Sequence, residues 1–241
     1  MTNNHLEGIA RDYHMNQVVK DKFIEDISQD YFCEWVKNSF KPNLTVCEMG
    51  YGEGITASHL SGHFQDYTVV EGAASLYKLA TSELKDISVI HSLFEDYMPS
   101  NKYDLILALH ILEHVNNPQE ILTHIKKWLK PGGKLVILVP NKNSLHRVFA
   151  NEMGLIDKLD ELSERDIQVG HQRVFGLSVL TTEVIDAGYN VLSEHGFFLK
   201  TLPNSMMLKF DHKLIWELNK ISTKLDPSLL ANICVVCELK K

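Results

Sequence analysis

The sequence predicts a doubly wound α/β fold, with helices on both faces of a mostly parallel β-sheet. Three observations lead to this prediction. Between residues 44 and 139, short apolar runs of strand length alternate with amphipathic stretches of helical period. The strand-length runs are apolar throughout, which is typical of parallel strands because both of their faces are buried. A glycine-rich segment joins the first run to the first helical stretch.

The individual elements follow from the apolar period and from the residues that interrupt it. Apolar residues recur near helical spacing over residues 18–40, and Lys41-Pro42-Asn43 ends that stretch. The predicted strands cover residues 44–49, 67–70, 87–90, 105–109 and 135–139, and the predicted helices cover residues 55–63, 73–84 and 118–129. Pro118 lies in the first turn of the last helix, and Lys130-Pro131-Gly132-Gly133 predicts a sharp turn after it.

The chain after residue 140 is less regular. The predicted elements there are a helix over residues 177–187 capped by Gly188, a strand over 189–199, a helix within 202–226 and a last strand over 231–239. Long connections without regular structure are usually functional or disordered. Residues 141–176 and 201–226 are therefore predicted to cover the substrate.

Composition limits the classes of function. The net charge of −7 argues against a general affinity for nucleic acid or anionic membranes. No apolar run reaches the roughly 20 residues that cross a bilayer, and the polar start of the chain lacks a signal-peptide core, so a cytoplasmic location is expected. Cys234 and Cys237 lie three apart on a predicted strand and point to opposite faces, so both are predicted to be core residues.

The segment Glu48-Met49-Gly50-Tyr51-Gly52-Glu53-Gly54 predicts a nucleoside site at the carboxyl ends of the strands. Glycine lets the backbone turn sharply and approach a ligand, and the following helix presents free N–H groups. Glu71 ends the next strand, where a carboxylate accepts hydrogen bonds from ribose hydroxyls. A dinucleotide-binding fold fits less well, because Ile55 stands where its fingerprint requires glycine.

Four motifs, in order between residues 46 and 141, resemble those of class I S-adenosylmethionine (SAM)-dependent methyltransferases. They cover residues 46–54, 69–72, 103–115 and 129–135. The resemblance is strongest to the small-molecule branch that includes ubiquinone-biosynthesis O-methyltransferases and sugar N- and O-methyltransferases. It implies SAM as cofactor, S-adenosylhomocysteine as product, and a Rossmann-like sheet of seven strands with an antiparallel last strand.

The resemblance also implies an organisation and a set of cofactor contacts. One domain over residues 1–241 is divided into an N-terminal helical cap (1–42), a SAM-binding core (43–140) and the two cover segments. An acidic residue after the third strand binds the adenine amine, which makes Glu95 the candidate and Asp96 its alternative. The predicted cofactor-binding residues are Tyr13, Glu48, Gly50, Tyr51, Gly52, Glu71, Gly72, Leu93, Phe94, Glu95, Leu109 and His110.

Methyl transfer to an alcohol needs a base, and histidine titrates near neutral pH. The candidates are His110, His146 and His171, of which His171 is preferred. If the stretch Gly170-His171-Gln172-Arg173 is extended, His171 and Arg173 point the same way. They are predicted to take a proton and to hold an anionic group of the acceptor, with His110 as a further catalytic candidate. A structural role for His171 in an ordered loop is the alternative.

The segment His110-Ile111-Leu112-Glu113-His114 also spells an inverted zinc-peptidase signature. That signature requires a helix, so that both histidines share a face. The segment instead follows a buried strand at the methyltransferase position. No metal is therefore predicted, and Glu113 and His114 are expected to hold the loop beneath the cofactor.

The preferred function is O-methylation of a small polar acceptor, such as a sugar or another metabolite. N-methylation of an amino sugar or amine, and O-methylation of a phosphate-type group, remain open as alternatives. A SAM-binding partner subunit without catalysis is an alternative of a different class. No nucleic-acid partner and no membrane insertion are expected, and a homodimer is compatible with the sequence.

Overall fold

The computed structural model describes residues 3–14 and 22–240. Seven strands form one sheet: β1 (Thr45–Met49), β2 (Asp66–Glu71), β3 (Ser88–His91), β4 (Tyr103–Leu109), β5 (Leu129–Pro140), β6 (Tyr189–Phe197) and β7 (Asn232–Leu239). Their order is β3-β2-β1-β4-β5-β7-β6. The first five strands pair in parallel, and β7 runs antiparallel to both β5 and β6. The predicted doubly wound, mostly parallel sheet with an antiparallel last strand is confirmed.

Ten α-helices occur in the described ranges: α1 (Asn3–Ile9), α2 (Lys22–Ser39), α3 (Ile55–Leu60), α4 (Ala74–Glu83), α5 (Pro118–Ile125), α6 (Leu145–Glu152), α7 (Glu164–Gln168), α8 (Leu177–Asp186), α9 (Asn204–Met207) and α10 (His212–Ser222). A π-helical segment, Ala10–His14, continues α1. None of these helices has both the length and the apolar character needed to cross a membrane.

Two hydrophobic cores lie on the two faces of the sheet. One contains Trp128, Tyr189 and Cys237, and the other contains Phe32, Leu60 and Cys234. The two β7 cysteines are therefore buried, unpaired core residues on opposite faces, as the strand period predicts.

The helix α5 begins as its sequence predicts and ends earlier. The Asn117 side chain accepts hydrogen bonds from the backbone N–H groups of Gln119 and Glu120 at 3.1 and 3.4 Å, which caps the helix. The prediction extends the helix to residue 129, but α5 ends at Ile125 and a 3₁₀ turn follows. Leu129 already belongs to the sheet, because its apolar side chain packs in the core from β5.

The predicted turn at residues 130–133 lies inside β5 as an irregularity of the strand. Tyr103 pairs with Leu129 and Leu105 pairs with Lys134. Residues 130–133 of β5 therefore stand opposite the single residue Asp104 of β4. A side chain on Gly133 would place its Cβ 2.9 Å from the Tyr103 carbonyl oxygen. The sequence correctly marks a backbone distortion here, and pairing on both sides of it keeps the segment within the strand.

The two predicted cover segments differ in what they contact. Residues 141–176 carry α6 and α7. Residues 201–226 carry α9 and α10, and α10 packs on α2. A buried hydrogen bond of 2.9 Å from Ser28 Oγ to Asn219 Oδ1 joins that pair of helices. The second segment therefore supports α2.

Candidate active site

A cavity of about 460 Å³ opens at the carboxyl ends of β1, β2 and β4. Met49, Glu71 and Leu109, the last residues of these three strands, line it. This is the edge of a doubly wound sheet at which ligands bind, and the volume lies in the range of small-molecule sites. Within the described ranges, no residue of 201–226 lines the cavity, so the predicted substrate cover there does not agree with the structure.

The glycine-rich loop between β1 and α3 forms one wall of the cavity. Gly50, Gly52 and Gly54 have φ angles of 81°, 55° and 76°, which residues with a Cβ rarely adopt. A Cβ on Gly52 would meet nothing closer than the His14 ring at 3.9 Å, so the loop leaves open space on this side. A Cβ on Gly54 would lie 2.3 Å from the Tyr51 hydroxyl. The third glycine therefore makes room for the Tyr51 ring, whose hydroxyl donates to Glu83 at 2.5 Å.

Two buried carboxylates stand behind this loop. Glu71 accepts hydrogen bonds from the backbone N–H groups of Tyr51 at 2.8 Å and Ala73 at 2.7 Å, so one side chain ties the loop to the end of β2. Burial raises the pKa of Glu71, although these backbone donors oppose the rise. Burial raises the pKa of Glu48 to about 8, against a hydrogen bond from the Tyr67 hydroxyl at 2.8 Å.

The structure brings nearly all the predicted cofactor-binding residues to this cavity. The lining residues among them are Glu48, Gly50, Tyr51, Gly52, Glu71, Gly72, Leu93, Phe94, Glu95, Leu109 and His110. Asp96, the alternative to Glu95, is exposed and does not line it. The side chain of Tyr13 lies outside the described part of the chain. The glycine wall, the carboxylate of Glu71 and the volume fit a nucleoside cofactor, while the individual contacts remain predictions.

The N-terminal helix closes the cavity from above. Leu6, Ile9, Ala10 and His14 line it, and His14 Nδ1 lies 3.3 Å from Glu53 Oε1 of the glycine loop. These four lining residues belong to the predicted N-terminal helical cap over residues 1–42, and their side chains lie at the cavity.

His171 lines the cavity beyond the loop after β4. Its Nδ1 lies 2.9 Å from Asp166 Oδ1, and its Nε2 lies 4.0 Å from Glu113 Oε1. The imidazole of His114 meets its ring edge to face, with centroids 4.8 Å apart. His171 is thus held between two carboxylates and a second imidazole.

The other histidines at the cavity have different electrostatic surroundings. His110 follows β4 with a φ of 55°, and its Nδ1 lies 3.1 Å from the fully buried Glu113. Burial opposes protonation of His110, but this carboxylate outweighs it and raises the pKa. Burial lowers the pKa of His114 to about 4, and burial together with Lys200 and Arg147 lowers the pKa of His146 to about 3.

Arg173 does not occupy its predicted position. Its guanidinium donates to the backbone carbonyls of Leu112, Val115 and Asn116, and it is absent from the described lining of the cavity. The sequence interpretation, in which it faces the acceptor beside His171, does not agree with this placement. The reason is that the loop after β4 leaves several carbonyls unpaired, and the guanidinium fork reaches them.

Sequence reasoning missed Asp166, which binds His171. The available signal was Ser163-x-x-Asp166, a capping-box spacing, because it predicts a helix start with an oriented carboxylate. The structure contains that capping box at the start of α7. Arg147 Nη1 also reaches Asp166 Oδ2, at 3.3 Å.

Glu113, His114 and His171 offer ligand atoms within 4.8 Å of one another, a spacing that a metal ion can bridge. Residues 110–114 form a turn rather than a helix, so His110 and His114 do not share a helical face as the zinc-peptidase signature requires. The absence of a metal remains a prediction.

Known proteins with similar sequences include methyltransferases. The sequence matches the Methyltransferase domain family over residues 22–194, more than half of the chain. It is 25% identical over 125 residues to a ubiquinone biosynthesis O-methyltransferase of Rickettsia canadensis and 24% identical over 134 residues to that of Rickettsia akari. These matches cover 49% and 54% of this chain. The chain spans about half the length of these curated relatives, 53% and 51%.

Solved structures share the fold at low sequence identity. A SAM-dependent methyltransferase of Thermotoga maritima, described as a possible histamine N-methyltransferase, superposes with a TM-score of 0.68 at 16% identity, covering 98% of this chain and 100% of that one. The N-methyltransferase NodS of Bradyrhizobium japonicum, solved with S-adenosylhomocysteine, gives 0.60 at 12% identity, covering 99% and 98%.

The sheet order, the glycine loop and the carboxylate at the end of β2 agree with the family match and with a class I SAM-dependent methyltransferase, whose cofactor is SAM. The chain belongs to the Methyltransferase domain family.

Proposed function

We propose that this enzyme transfers the methyl group of SAM to an oxygen of a small polar acceptor, with His171 as the general base. The observation that carries the proposal is the imidazole of His171, which lines the cavity and is anchored at Nδ1 by Asp166 at 2.9 Å. A positioned imidazole is the commonest protein base for removing a proton from a hydroxyl group.

SAM supplies an electrophilic methyl group on a sulfonium. The chain has to orient the acceptor and remove its proton. In the proposed step the acceptor hydroxyl gives its proton to His171 Nε2, and the oxygen bonds to the methyl carbon. The electron pair of the broken carbon–sulfur bond stays on the sulfur of S-adenosylhomocysteine.

Polar side chains on one wall of the cavity support a polar acceptor. Polar and charged side chains from α2, α6 and α7 reach the cavity, among them Glu25, Gln29, Arg147, Ser163 and Arg165. Each of these side chains also has a partner within the protein, such as Arg165 with Glu25 and Gln29 with Thr56, so this wall is polar and a polar acceptor can join its hydrogen bonds. The curated relatives are named as O-methyltransferases, which favours oxygen over nitrogen.

Release of S-adenosylhomocysteine tests the proposal. The protein is incubated with SAM and a panel of hydroxylated metabolites, each paired with its amine analogue. We expect release with at least one hydroxylated acceptor, and we expect His171→Asn to slow it about 100-fold or more. His59→Asn, on the exposed end of α3, is the matched control. Release with amines alone, or an unaffected His171→Asn variant, contradicts the proposal.

A further inference from the structure

We propose that Asp166 is a positioning residue that fixes the tautomer of His171, with the proton on Nδ1 and the lone pair of Nε2 facing the cavity. This inference rests on the proposed function, because it explains how His171 is prepared to act as a base. Asp166 is not among the residues that the sequence analysis singled out.

The carboxylate of Asp166 is held by donors on one side. Its Oδ2 accepts the backbone N–H of Ser163 at 2.8 Å, the Ser163 hydroxyl at 2.7 Å and Arg147 Nη1 at 3.3 Å. Only Oδ1 is left for the imidazole of His171. The carboxylate therefore cannot rotate without losing three hydrogen bonds.

The same contacts keep Asp166 ionised. Burial opposes ionisation, but the hydrogen bonds from His171 and Ser163 outweigh it and hold the pKa of Asp166 well below its usual range. An ionised carboxylate only accepts hydrogen bonds. At 2.9 Å from Asp166 Oδ1, Nδ1 of His171 must therefore be the donor.

The other side of the ring is left for the acceptor. Nε2 lies 4.0 Å from Glu113 Oε1, which is too long for a hydrogen bond, and it makes none within residues 3–14 and 22–240. When Nε2 takes the acceptor proton, the imidazolium lies between the carboxylates of Asp166 and Glu113. The backbone N–H of His171 also donates to the Asp166 carbonyl at 2.8 Å, so His171 contacts Asp166 through both its backbone and its side chain.

Asp166→Asn is the informative substitution. Three donors surround the Oδ2 position, so the amide oxygen should stay there and the NH₂ group should take the place of Oδ1. That NH₂ donates to Nδ1 and forces the proton to Nε2. The variant thus keeps the shape and reverses the tautomer.

The tautomer is read from the ¹⁵N chemical shifts of His171 in histidine-labelled protein, assigned by their loss in His171→Asn. This measurement needs no acceptor, so its outcome is separate from that of the proposed function. In the wild-type protein, we expect the neutral imidazole of His171 to carry its proton on Nδ1. A neutral imidazole with its proton on Nε2 overturns the proposal, even if Asp166→Asn fails to fold.

Kinetics with an acceptor from the panel supply the second arm. We expect Asp166→Asn to lower kcat about 100-fold or more with unchanged SAM affinity. Glu164→Gln, an exposed carboxylate-to-amide change in the same turn of α7, should leave kcat unchanged. Equal kcat in Asp166→Asn and Glu164→Gln overturns the proposal.

Discussion

At the scale of single residues, two buried carboxylates on adjacent strands have different partners. Glu71 accepts two backbone N–H groups, and Glu48 accepts one phenol hydroxyl. Backbone N–H donors favour the ionised form of a carboxyl group, whereas burial favours the neutral form. The two residues therefore make separate predictions.

We expect Glu71→Gln to weaken SAM binding about 10- to 100-fold, since hydrogen bonds to a charged group contribute about 1.5–3 kcal/mol. The amide can accept only one of the two N–H groups, from Tyr51 and Ala73, that now order the loop. Calorimetric titration with SAM measures the change, and Asp86→Asn on the exposed surface is its control. Equal affinity in the two variants contradicts the role of Glu71.

Glu48 predicts a pH-dependent stability. Its pKa in the folded state, about 8, is above the ordinary 4.5, so the folded state holds the proton more tightly. The resulting stabilisation is complete below about pH 4.5 and is lost as the pH rises through about 8. We compare the free energies of unfolding of Glu48→Gln and the wild-type protein by urea denaturation. The value for the variant minus that for the wild type is expected to increase as the pH rises from about 4.5 to about 8. A difference that is independent of pH contradicts the raised pKa.

At the scale of elements, Arg173 connects the segment before α8 to the loop after β4. Its three backbone acceptors lie within residues 112–116, and the backbone N–H of Gln172 donates to the Glu113 carbonyl at 2.8 Å. This pairing places Glu113, His114 and His171 together. A guanidinium presents five donors in a planar fork that reaches several carbonyls at once, whereas the ammonium of lysine is a compact point charge with three donors.

We therefore expect Arg173→Lys to lower the free energy of unfolding by about 1–3 kcal/mol. Urea denaturation measures it. If Arg173 instead bound an anionic acceptor, lysine would keep the charge, the stability would be unchanged, and the KM for that acceptor would rise.

The sequence predicts elements well where one period covers the whole segment. Strands β1 to β4 and helix α5 begin within a few residues of their predicted starts. Strand β5 begins six residues before its predicted start. There, pairing of Leu129 with Tyr103 extends the strand across residues that locally favour a turn. The residue types at Gly132 and Gly133 predict a distortion of the backbone. Whether the chain then leaves the sheet depends on its pairing with the neighbouring strand, which the local sequence does not show.

The candidate site also has one part that the sequence predicts and one part that it does not. Its cofactor half lies in contiguous motifs at strand ends, so residues such as Gly50, Glu71 and Leu109 could be found from the sequence. Its acceptor half is formed by contacts between distant segments. The capping-box spacing indicates an oriented carboxylate at Asp166, but its contact with Arg147 of α6 and the contacts of Arg173 with carbonyls after β4 join distant segments. No local pattern shows these contacts.

At the scale of the whole molecule, the cavity is assembled from three parts of the chain. The strand ends of the core supply the cofactor wall, the N-terminal helix closes it, and α6 and α7 bring the polar acceptor side. The net charge of the chain is −7, but at the acceptor side of the cavity Arg147, Arg165 and Lys200 offset the carboxylates of Glu25 and Asp166. The central claim is that this assembly directs a methyl group to an acceptor oxygen.

The most direct test is to locate the transferred methyl group. The protein is supplied with SAM carrying a ¹³C-labelled methyl group and with an acceptor that has both a hydroxyl and an amine. The ¹³C chemical shift of the product then identifies the bond. We expect a methyl ether, and its loss in His171→Asn. A labelled methyl on nitrogen, or an ether that forms equally well without His171, contradicts the account.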